Sequence, residues 1–274
     1  LTPEEIAHRL TFAGVEVEAI TRVAEASKLV VGEVIMCENM EGSDHLHVTK
    51  VNAGVVGVYA QGYLLYDDTG FILYYVGKDA ELAYKVGDFL EVTGALGKYN
   101  GRVQFTNEAK VNKISDGYTY SFGEPSVYTA ETMPDFLASV QFGKLVTVRA
   151  TITSVSDSYV NGNIVGMEGI GVAVTYPLDK DAYVADKVFE ITGYALYAKE
   201  YNNVNSLYLM AVSAGEVHKV TFDTGVEGMT VDPIEFSDYT KVELPELIRE
   251  EYIFGGWQEG TAFVDELTEN KDYN

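Results

Sequence analysis

The sequence is poor in cysteine, proline and tryptophan, and it has no long apolar run. Of its 274 residues, one is Cys, six are Pro and one is Trp. With Cys37 alone, no intramolecular disulfide can form, and a zinc site built from several thiolates is excluded. No apolar stretch approaches the roughly 20 residues needed to span a bilayer. These absences exclude a disulfide-stapled scaffold and a thiolate-rich metal centre.

Sequence signatures of catalysis are also missing. The chain has no G-x-S-x-G, P-loop, G-x-G-x-x-G or H-E-x-x-H pattern. His45 and His47 share one face of a predicted strand. The one further ligand nearby, Asp44, would face the opposite side, which favours ordinary strand residues over a metal site. Asp179, Asp181 and Asp186 could gather calcium, yet the loop lacks the glycine and glutamate of an EF-hand. We therefore expect no enzyme activity, no cofactor and no metal.

Aromatic and acidic residues are abundant instead. The chain has 20 Tyr, 12 Phe and 26 Gly, with a formal net charge of −23 and a pI of about 4.4. Tyr and Phe favour strands, and Gly supplies the turns between them. A surface this acidic repels phosphate backbones, which argues against nucleic acid as a partner.

Residues 53–114 carry the pattern of one small barrel. They form a succession of five short β-like runs, and "DDTG" at 67–70 predicts a tight hairpin turn between two of them. "KDAELAYK" at 78–85 predicts a short helical cap between the third and fourth strands. Three strands, a short helix and two more strands is the order of an OB-fold.

A short sequence motif of this barrel recurs further along the chain. "LEVTG" at 90–94 is echoed by "FEITG" at 189–193, which predicts a second OB-like barrel over 143–216, with "NGN" at 161–163 as a turn. The connecting residues 115–142 predict a linker with a short helix. In that helix Thr132 is the expected N-cap and Pro134 an early helical residue.

The two ends of the chain differ from the barrels. Residues 2–13 predict a helix that begins at Thr2 and Pro3, and strand-like runs then follow to residue 52. Residues 217–274 are strongly acidic and form a separate C-terminal segment. The expected fold is mainly β, with two OB-like five-stranded barrels, a short N-terminal helix–strand segment at 1–52 and a C-terminal module.

Residues 1–52 resemble the N-terminal region of the bacterial phenylalanyl-tRNA synthetase β subunit. The resemblance is carried by "EEIAHRLTFAGVEVEAI" and "LVVGEVIMCENMEGSDHLHVTKVN". It implies the opening of an OB-like tRNA-binding region, in which the His–Leu–His stretch is a strand. Because the resemblance ends at Asn52, a half barrel would leave strand edges uncovered, so we expect a chimeric chain joined at 52/53.

Two further resemblances cover the remainder of the chain. Residues 54–215, through "GYLLYDDTGFILYYVG" and "GDFLEVTGALGKYNGRVQF", resemble tandem OB-like modules of bacterial surface proteins. Residues 217–265, through "KVTFDTGVEG" and "VELPELIREEYIFGGW", resemble the internalin-B-type (Listeria–Bacteroides) repeat. That resemblance implies a small β-grasp-like fold that serves as a surface spacer or adhesive module.

The first functional hypothesis is a non-catalytic binding or spacer protein of bacterial cell-surface type, located outside the cell. Its OB-like modules would bind a glycan or a protein, because OB-folds present aromatic platforms to extended ligands. The aromatic residues of the modules could instead pack in the cores of the barrels. The candidate ligand-binding residues are Tyr63, Tyr66, Phe71, Tyr74, Tyr99 and Arg102.

The second hypothesis comes from the N-terminal resemblance. It describes a cytoplasmic, tRNA-binding accessory fragment of a phenylalanyl-tRNA synthetase β subunit. His45, His47 and Lys50 would contact the RNA. This hypothesis predicts binding that weakens as the salt concentration rises.

Overall fold

The computed structural model describes residues 36–39, 47–238, 242–250, 253–259, 262–264 and 266–267. These residues all belong to one compact unit, Glu33–Asn274. The helix predicted over 2–13 lies outside the described residues. Within them, no helix combines the length and the apolar character needed to cross a membrane.

The first sheet closes into a five-stranded barrel of the predicted OB type. Going round the barrel, the hydrogen-bonded order is first, second, third, fifth and fourth strand, and the fourth strand pairs back onto the first. The third and fifth strands are parallel, and the other barrel pairs are antiparallel. The strands are β1 (Met36–Asn39), β2 (His47–Tyr59), β3 (Gly62–Tyr66), β4 (Phe71–Tyr75), β5 (Phe89–Tyr99), β6 (Arg102–Phe105) and β7 (Lys110–Ser115). The five barrel strands are β2 to β6, with β1 beside β2 and β7 beside β5.

Alternation along the strands places the core of this barrel. Val51, Ala53 and Val55 on β2 are buried, as are Leu90 and Val92 on β5. Because successive side chains of a strand point to opposite faces, this spacing of two puts all five on the inner face. They form one buried apolar cluster.

The predicted boundary at 52/53 lies inside a single strand. β2 runs without a break from His47 to Tyr59, and it pairs with β5 from Val48 to Gly54. The edges of this strand are therefore covered, and no half barrel is present among the described residues. The physical reason for expecting a chimeric chain falls away, and the five-segment division of the chain stays a prediction.

The prediction of a helical cap at 78–85 is wrong. The segment is a loop in which Leu82 and Tyr84 both pack against the barrel core. The backbone N–H of Tyr84 donates a hydrogen bond to the Tyr63 hydroxyl at 3.0 Å. Two inward side chains spaced two apart suit an extended backbone, because a helix would turn them to different sides.

The second barrel repeats the topology of the first. Its order is again first, second, third, fifth and fourth strand, with the third and fifth parallel and the fourth paired back onto the first. The strands are β8 (Leu145–Val155), β9 (Tyr159–Ile164), β10 (Ile170–Thr175), β11 (Val188–Tyr201) and β12 (Val204–Val220). "LEVTG" lies in β5 and "FEITG" in β11, which is the fourth strand of each barrel. The repeat prediction is confirmed.

The short helix of the linker is also confirmed. Helix α1 (Met133–Ala138) has Thr132 as its N-cap residue and Pro134 in its first turn. Met133 and Leu137, four residues apart, are buried against the core of the second barrel. This spacing puts both side chains on one face of the helix.

The turn predicted at 161–163 is wrong, because these residues lie within strand β9. Gly162 pairs with Ile152 on one side and Val172 on the other. A Cβ atom at Gly162 would come within 2.9 Å of the Thr151 carbonyl oxygen. The glycine here serves close strand approach rather than a turn.

The two barrels share an apolar interface. Val56 and Leu64 of the first barrel cluster with Tyr194 and Met210 of the second. Aromatic residues of the linker, including Phe122, pack against the same cluster. The barrels therefore meet through a common buried core.

Beyond the second barrel, short strand pairs build the C-terminal segment. The end of β12 pairs with β13 (Ile234–Ser237). The other pairs join β14 (Val242–Glu243) to β17 (Glu266–Leu267) and β15 (Trp257–Glu259) to β16 (Ala262–Val264). The Trp257 indole N–H donates to the Pro245 carbonyl at 2.7 Å, and the Trp257 ring lies 4.6 Å from that of Phe222.

Candidate functional site

A cavity of about 270 Å³ opens where the two barrels meet. The first barrel contributes the turn between β2 and β3, the end of β4 and the turn between β5 and β6. In an OB-fold these two turns flank the ligand-binding face. Tyrosines dominate the lining, namely Tyr59, Tyr75, Tyr99, Tyr159, Tyr176 and Tyr197.

Arg102 is the one charged residue among the described residues that line this cavity. The residue is 5% exposed, and its guanidinium carbon lies 4.0 Å from the centre of the Tyr197 ring and 5.7 Å from that of Tyr99. Such cation–aromatic contacts are favourable when both groups are desolvated. The Nε and Nη1 atoms have no hydrogen-bond partner among the described residues. The cavity thus holds buried donors that are left unsatisfied.

Burial also sets the protonation of the cavity groups. It lowers the pKa of Arg102, although the tyrosine hydroxyls around it, that of Tyr197 first, oppose the change. The ordinary pKa of arginine is so far above neutral that the group remains charged at neutral pH. Burial raises the pKa of Tyr59 and Tyr197 above the ordinary tyrosine value. These hydroxyls therefore stay protonated at neutral pH and can donate hydrogen bonds.

A series of ring contacts links four of the lining tyrosines, and it passes through Tyr208, which is absent from the cavity lining. The ring centres of Tyr59 and Tyr176 are 6.4 Å apart, and those of Tyr176 and Tyr159 are 5.8 Å apart. Tyr159 meets Tyr208 at 5.8 Å, and Tyr208 stacks on Tyr197 at 4.3 Å. Tyr208 and the Arg102 guanidinium cover the faces of the Tyr197 ring, so a planar ligand would have to stack on the other lining tyrosines.

Tyr176 holds an uncommon backbone conformation at the junction of the barrels. Its φ angle is 45°, in the left-handed region that large side chains rarely adopt. Its N–H donates to the Ser158 carbonyl at 2.8 Å, and its own carbonyl accepts from the Ala60 N–H at 2.9 Å. Strained residues that are fixed in this way are found at binding sites more often than elsewhere.

Two of the predicted ligand-binding residues are core residues. Tyr63 is 1% exposed and Tyr74 is 7% exposed, and both belong to the buried cluster of the first barrel. Their rings stack at a centre distance of 5.8 Å, and Tyr63 also meets Tyr84 edge-on. Side chains so enclosed have no face left for a ligand.

The other four predicted residues lie in two different places. Tyr66 and Phe71 pack in the interface between the barrels, where both rings contact Phe122. Tyr99 and Arg102 line the cavity. The six predicted residues therefore do not form one surface, and two of them mark the cavity.

The structure describes two of the three residues of the RNA-binding alternative, His47 and Lys50. Lys50 pairs with Glu91 at 2.6 Å, and both side chains are about 30% exposed. His47 pairs with Asn39 across the β1–β2 ladder. His45 lies outside the described residues, so this constellation stays a prediction.

Sequence reasoning missed most of the cavity wall. Tyr59, Tyr159 and Tyr176 are not among the candidates, although Tyr59 and Tyr159 stand at strand ends and Tyr176 directly follows a strand. The signal that could have found them is this shared position, since turns flank the binding face of an OB-fold. In the part of the chain that the structure describes, no group of three or more His, Cys, Asp or Glu residues is placed to hold a metal ion.

Curated relatives match about a fifth of the chain. The phenylalanine–tRNA ligase beta subunit of Nitrosospira multiformis is 45% identical over 58 residues, which are 21% of this chain and 7% of that protein. The corresponding subunit of Bacteroides thetaiotaomicron is also 45% identical over 58 residues, with 20% and 7% covered. The resemblance of the N-terminal stretch to that family is confirmed. The chain spans about 7% of the length of these relatives.

The solved structures that this chain matches in part share little sequence with it. A murine DNA-binding protein bound to double-stranded DNA is 10% identical, with a TM-score of 0.35 and coverage of 58% of this chain and 90% of that one. The p204 HINb domain is 10% identical, with a TM-score of 0.36 and coverage of 64% and 100%. Fission yeast Pot1 with single-stranded DNA is 12% identical, with a TM-score of 0.25 and coverage of 66% and 85%.

No family model matches the chain. The predicted resemblances of 54–215 to surface-protein modules and of 217–265 to the internalin-B-type repeat gain no support from these matches. Both stay predictions.

The expectation that the partner is a glycan or a protein, and that the net charge argues against nucleic acid, is wrong. It is contradicted by the curated relatives, which are phenylalanine–tRNA ligase beta subunits. The physical error lies in applying a whole-chain charge to one site. Residues 53–114 carry seven acidic and six basic side chains, whereas 217–274 carry fourteen acidic and four basic ones. The excess of acidic residues therefore lies outside residues 53–114 of the sequence. Salt screening limits the reach of exposed charges to about 10 Å.

Proposed function

We propose that this chain is a non-catalytic module that binds single-stranded nucleic acid in the cavity between its two barrels. The observation that carries the proposal is a tyrosine-walled cavity with a buried, unsatisfied arginine at the turns that flank an OB binding face. Bases stack on aromatic side chains whatever their sequence, because every base has a π face. Neutral tyrosines suit this role in an acidic chain, since stacking needs no positive charge.

The dimensions of the cavity favour an unpaired strand over a duplex. A volume of about 270 Å³ lies just below the usual range for ligand pockets and suits one base or nucleotide. The bases of a duplex are stacked and paired, so their faces cannot reach tyrosine rings. Duplex binding also depends on many phosphate contacts, and this cavity has a single cationic side chain among the described residues.

The natural ligand that we propose is RNA, with the unpaired loops and ends of tRNA included. The N-terminal similarity to phenylalanine–tRNA ligase beta subunits supports this choice. Unpaired RNA bases can be splayed out and stacked on tyrosine, as sequence-specific RNA recognition commonly requires. Oligonucleotides of RNA and DNA with the same sequence would show whether the 2′-hydroxyl contributes.

The first prediction uses two equivalent tyrosines. Tyr99 ends β5 and pairs with Arg102, while Tyr201 ends β11 and pairs with Val204 at the same point of the second barrel. Both side chains are exposed, but Tyr99 lines the cavity and Tyr201 is absent from its lining. Tyr99→Ala should weaken binding of a labelled oligouridine of about ten nucleotides by roughly 5- to 150-fold, the equivalent of one stacked base.

Fluorescence anisotropy titration would measure these affinities, with Tyr201→Ala as the matched control. The control should bind as the unchanged protein does. Equal losses in both variants would place the binding surface elsewhere. Absence of oligonucleotide binding at low salt would remove the proposed function.

A further inference from the structure

The positive charge of Arg102 has no counter-ion in the cavity. Among the described residues no Asp or Glu lines the cavity, and no ion pair to Arg102 is formed. The residue is nevertheless 5% exposed, and two of its nitrogen atoms have no hydrogen-bond partner. A buried charge without a partner is costly, and buried arginines are normally paired with an anion.

From this geometry we infer that Arg102 binds one phosphate group, so that the cavity holds a single nucleotide with its base against the tyrosine wall. The inference rests on the proposed function and specifies which part of the ligand the arginine meets. A phosphate supplies both the missing charge and several acceptor oxygens to a guanidinium. A neutral base edge would satisfy the donors but would leave the charge uncompensated.

The other polar groups of the cavity suit an anion as well. Gln61 and Gln104 carry amide N–H groups, and the tyrosine hydroxyls are protonated donors. The guanidinium face is already covered by Tyr197 at 4.0 Å, so its remaining contacts must be made through its N–H edges. Those edges are where phosphate oxygens bind arginine.

The second barrel does not repeat this feature. In the β5–β6 hairpin of the first barrel, Arg102 pairs with Tyr99. At the same point of the β11–β12 hairpin in the second barrel, Val204 pairs with Tyr201. One phosphate per chain is therefore expected. For single strands each neutralised phosphate contributes about −0.7 to the slope of log K against log salt concentration, so the slope should lie near that value.

The test measures oligouridine affinity over a series of salt concentrations for Arg102→Met and for Lys98→Gln. Methionine keeps the apolar stem of Arg102 without its charge, and Lys98 is an exposed cation four residues away that does not line the cavity. We expect Arg102→Met to bind about 10- to 150-fold more weakly, as for the loss of a hydrogen bond to a charged group, and to lose the salt slope. Lys98→Gln should keep both the affinity and the slope.

A second arm uses the unchanged protein, so it does not depend on the folding of a variant. AMP, adenosine and an oligonucleotide with uncharged methylphosphonate linkages would compete against labelled oligouridine. AMP should compete at least ten-fold better than adenosine, and the uncharged strand should bind weakly and without salt dependence. Equal competition by AMP and adenosine, or an unchanged slope in Arg102→Met, would overturn the phosphate inference while the proposed function stands. Binding of AMP with no binding of any oligonucleotide would instead remove the proposed function and leave the phosphate site.

Discussion

Asp88 is a buried residue that connects several segments of the first barrel. It is 1% exposed, its carboxylate lies 2.8 Å from the Lys113 ammonium group, and it accepts from the Lys85 backbone N–H at 3.1 Å. Its own carbonyl accepts from the Val55 N–H at 2.8 Å. The residue therefore ties β2, β7 and the loop before β5 together.

The Lys113 ammonium group, 2.8 Å from the carboxylate, lowers the pKa of Asp88 below the ordinary aspartate value of 3.8. A carboxyl with a lowered pKa in the folded state stabilises the protein above the unfolded-state pKa, and this contribution is lost as the pH falls through the folded-state pKa. Asp88→Asn should lower the free energy of unfolding by about 1–3 kcal/mol near neutral pH. Urea denaturation should show a smaller difference from the unchanged protein at a pH of about 3.

Asp116→Asn provides the control for this prediction. Asp116 contacts the same Lys113 at 2.7 Å, but its side chain is 72% exposed, and exposed ion pairs contribute little. A penalty for Asp88→Asn that is equal at acidic and neutral pH would contradict the assignment of its effect to the charge.

At the scale of single elements, strand β2 depends on a glycine. A Cβ atom at Gly54 would lie 1.8 Å from a carbon of the Tyr118 ring. That ring stacks on Phe89 at 5.4 Å, and its hydroxyl donates to Asp68 at 3.0 Å. Tyr118 is thus held from both sides and cannot move away freely.

Gly54→Ala should therefore destabilise the first barrel by about 1–3 kcal/mol, since overpacking forces the ring or the strand to shift. Thermal or urea unfolding would measure the effect. Gly70→Ala is the matched control, because a Cβ atom at Gly70 would have no heavy atom within 4 Å and the backbone there is not in the left-handed region. Equal effects of the two changes would show that the Tyr118 contact does not explain the loss.

The elements differ in how far the sequence predicts them. The hairpin turn at 67–70 is confirmed, with the Asp67 carboxylate accepting from the Gly70 N–H at 3.0 Å, because turn chemistry is local. The repeat over 90–94 and 189–193 is likewise visible as a pattern. The loop at 78–85 was misread because its helix-forming residues are overridden by packing of Leu82 on the barrel.

The candidate site was harder to predict, for a physical reason. Tyr59 and Tyr176 are far apart in the sequence, and they meet because the two barrels pack together. No local pattern specifies that packing. Tyr99 and Arg102 belong to the predicted set because aromatic and cationic residues of the first barrel are visible in the local sequence, and their part in ligand binding stays a prediction.

At the scale of the whole molecule, charge is unevenly distributed. The net charge of −23 is carried largely outside the first barrel, whose residues 53–114 are close to neutral. The described cavity lining has one cationic residue rather than a broadly cationic groove. In the proposed binding mode, stacking and one phosphate contact therefore bind the nucleic-acid strand. The same distribution implies that binding gains little from long-range attraction, so association should be slow compared with basic nucleic-acid-binding proteins.

The most direct measurement of the central claim is photo-crosslinking of the full chain to a 4-thiouridine-labelled oligouridine, followed by mapping of the adducts by mass spectrometry. The account predicts adducts on the cavity tyrosines, with Tyr159 and Tyr197 among them, and competition by unlabelled oligouridine. Adducts confined to Tyr201 or to the C-terminal residues 217–259, with none in the cavity between the barrels, would contradict it.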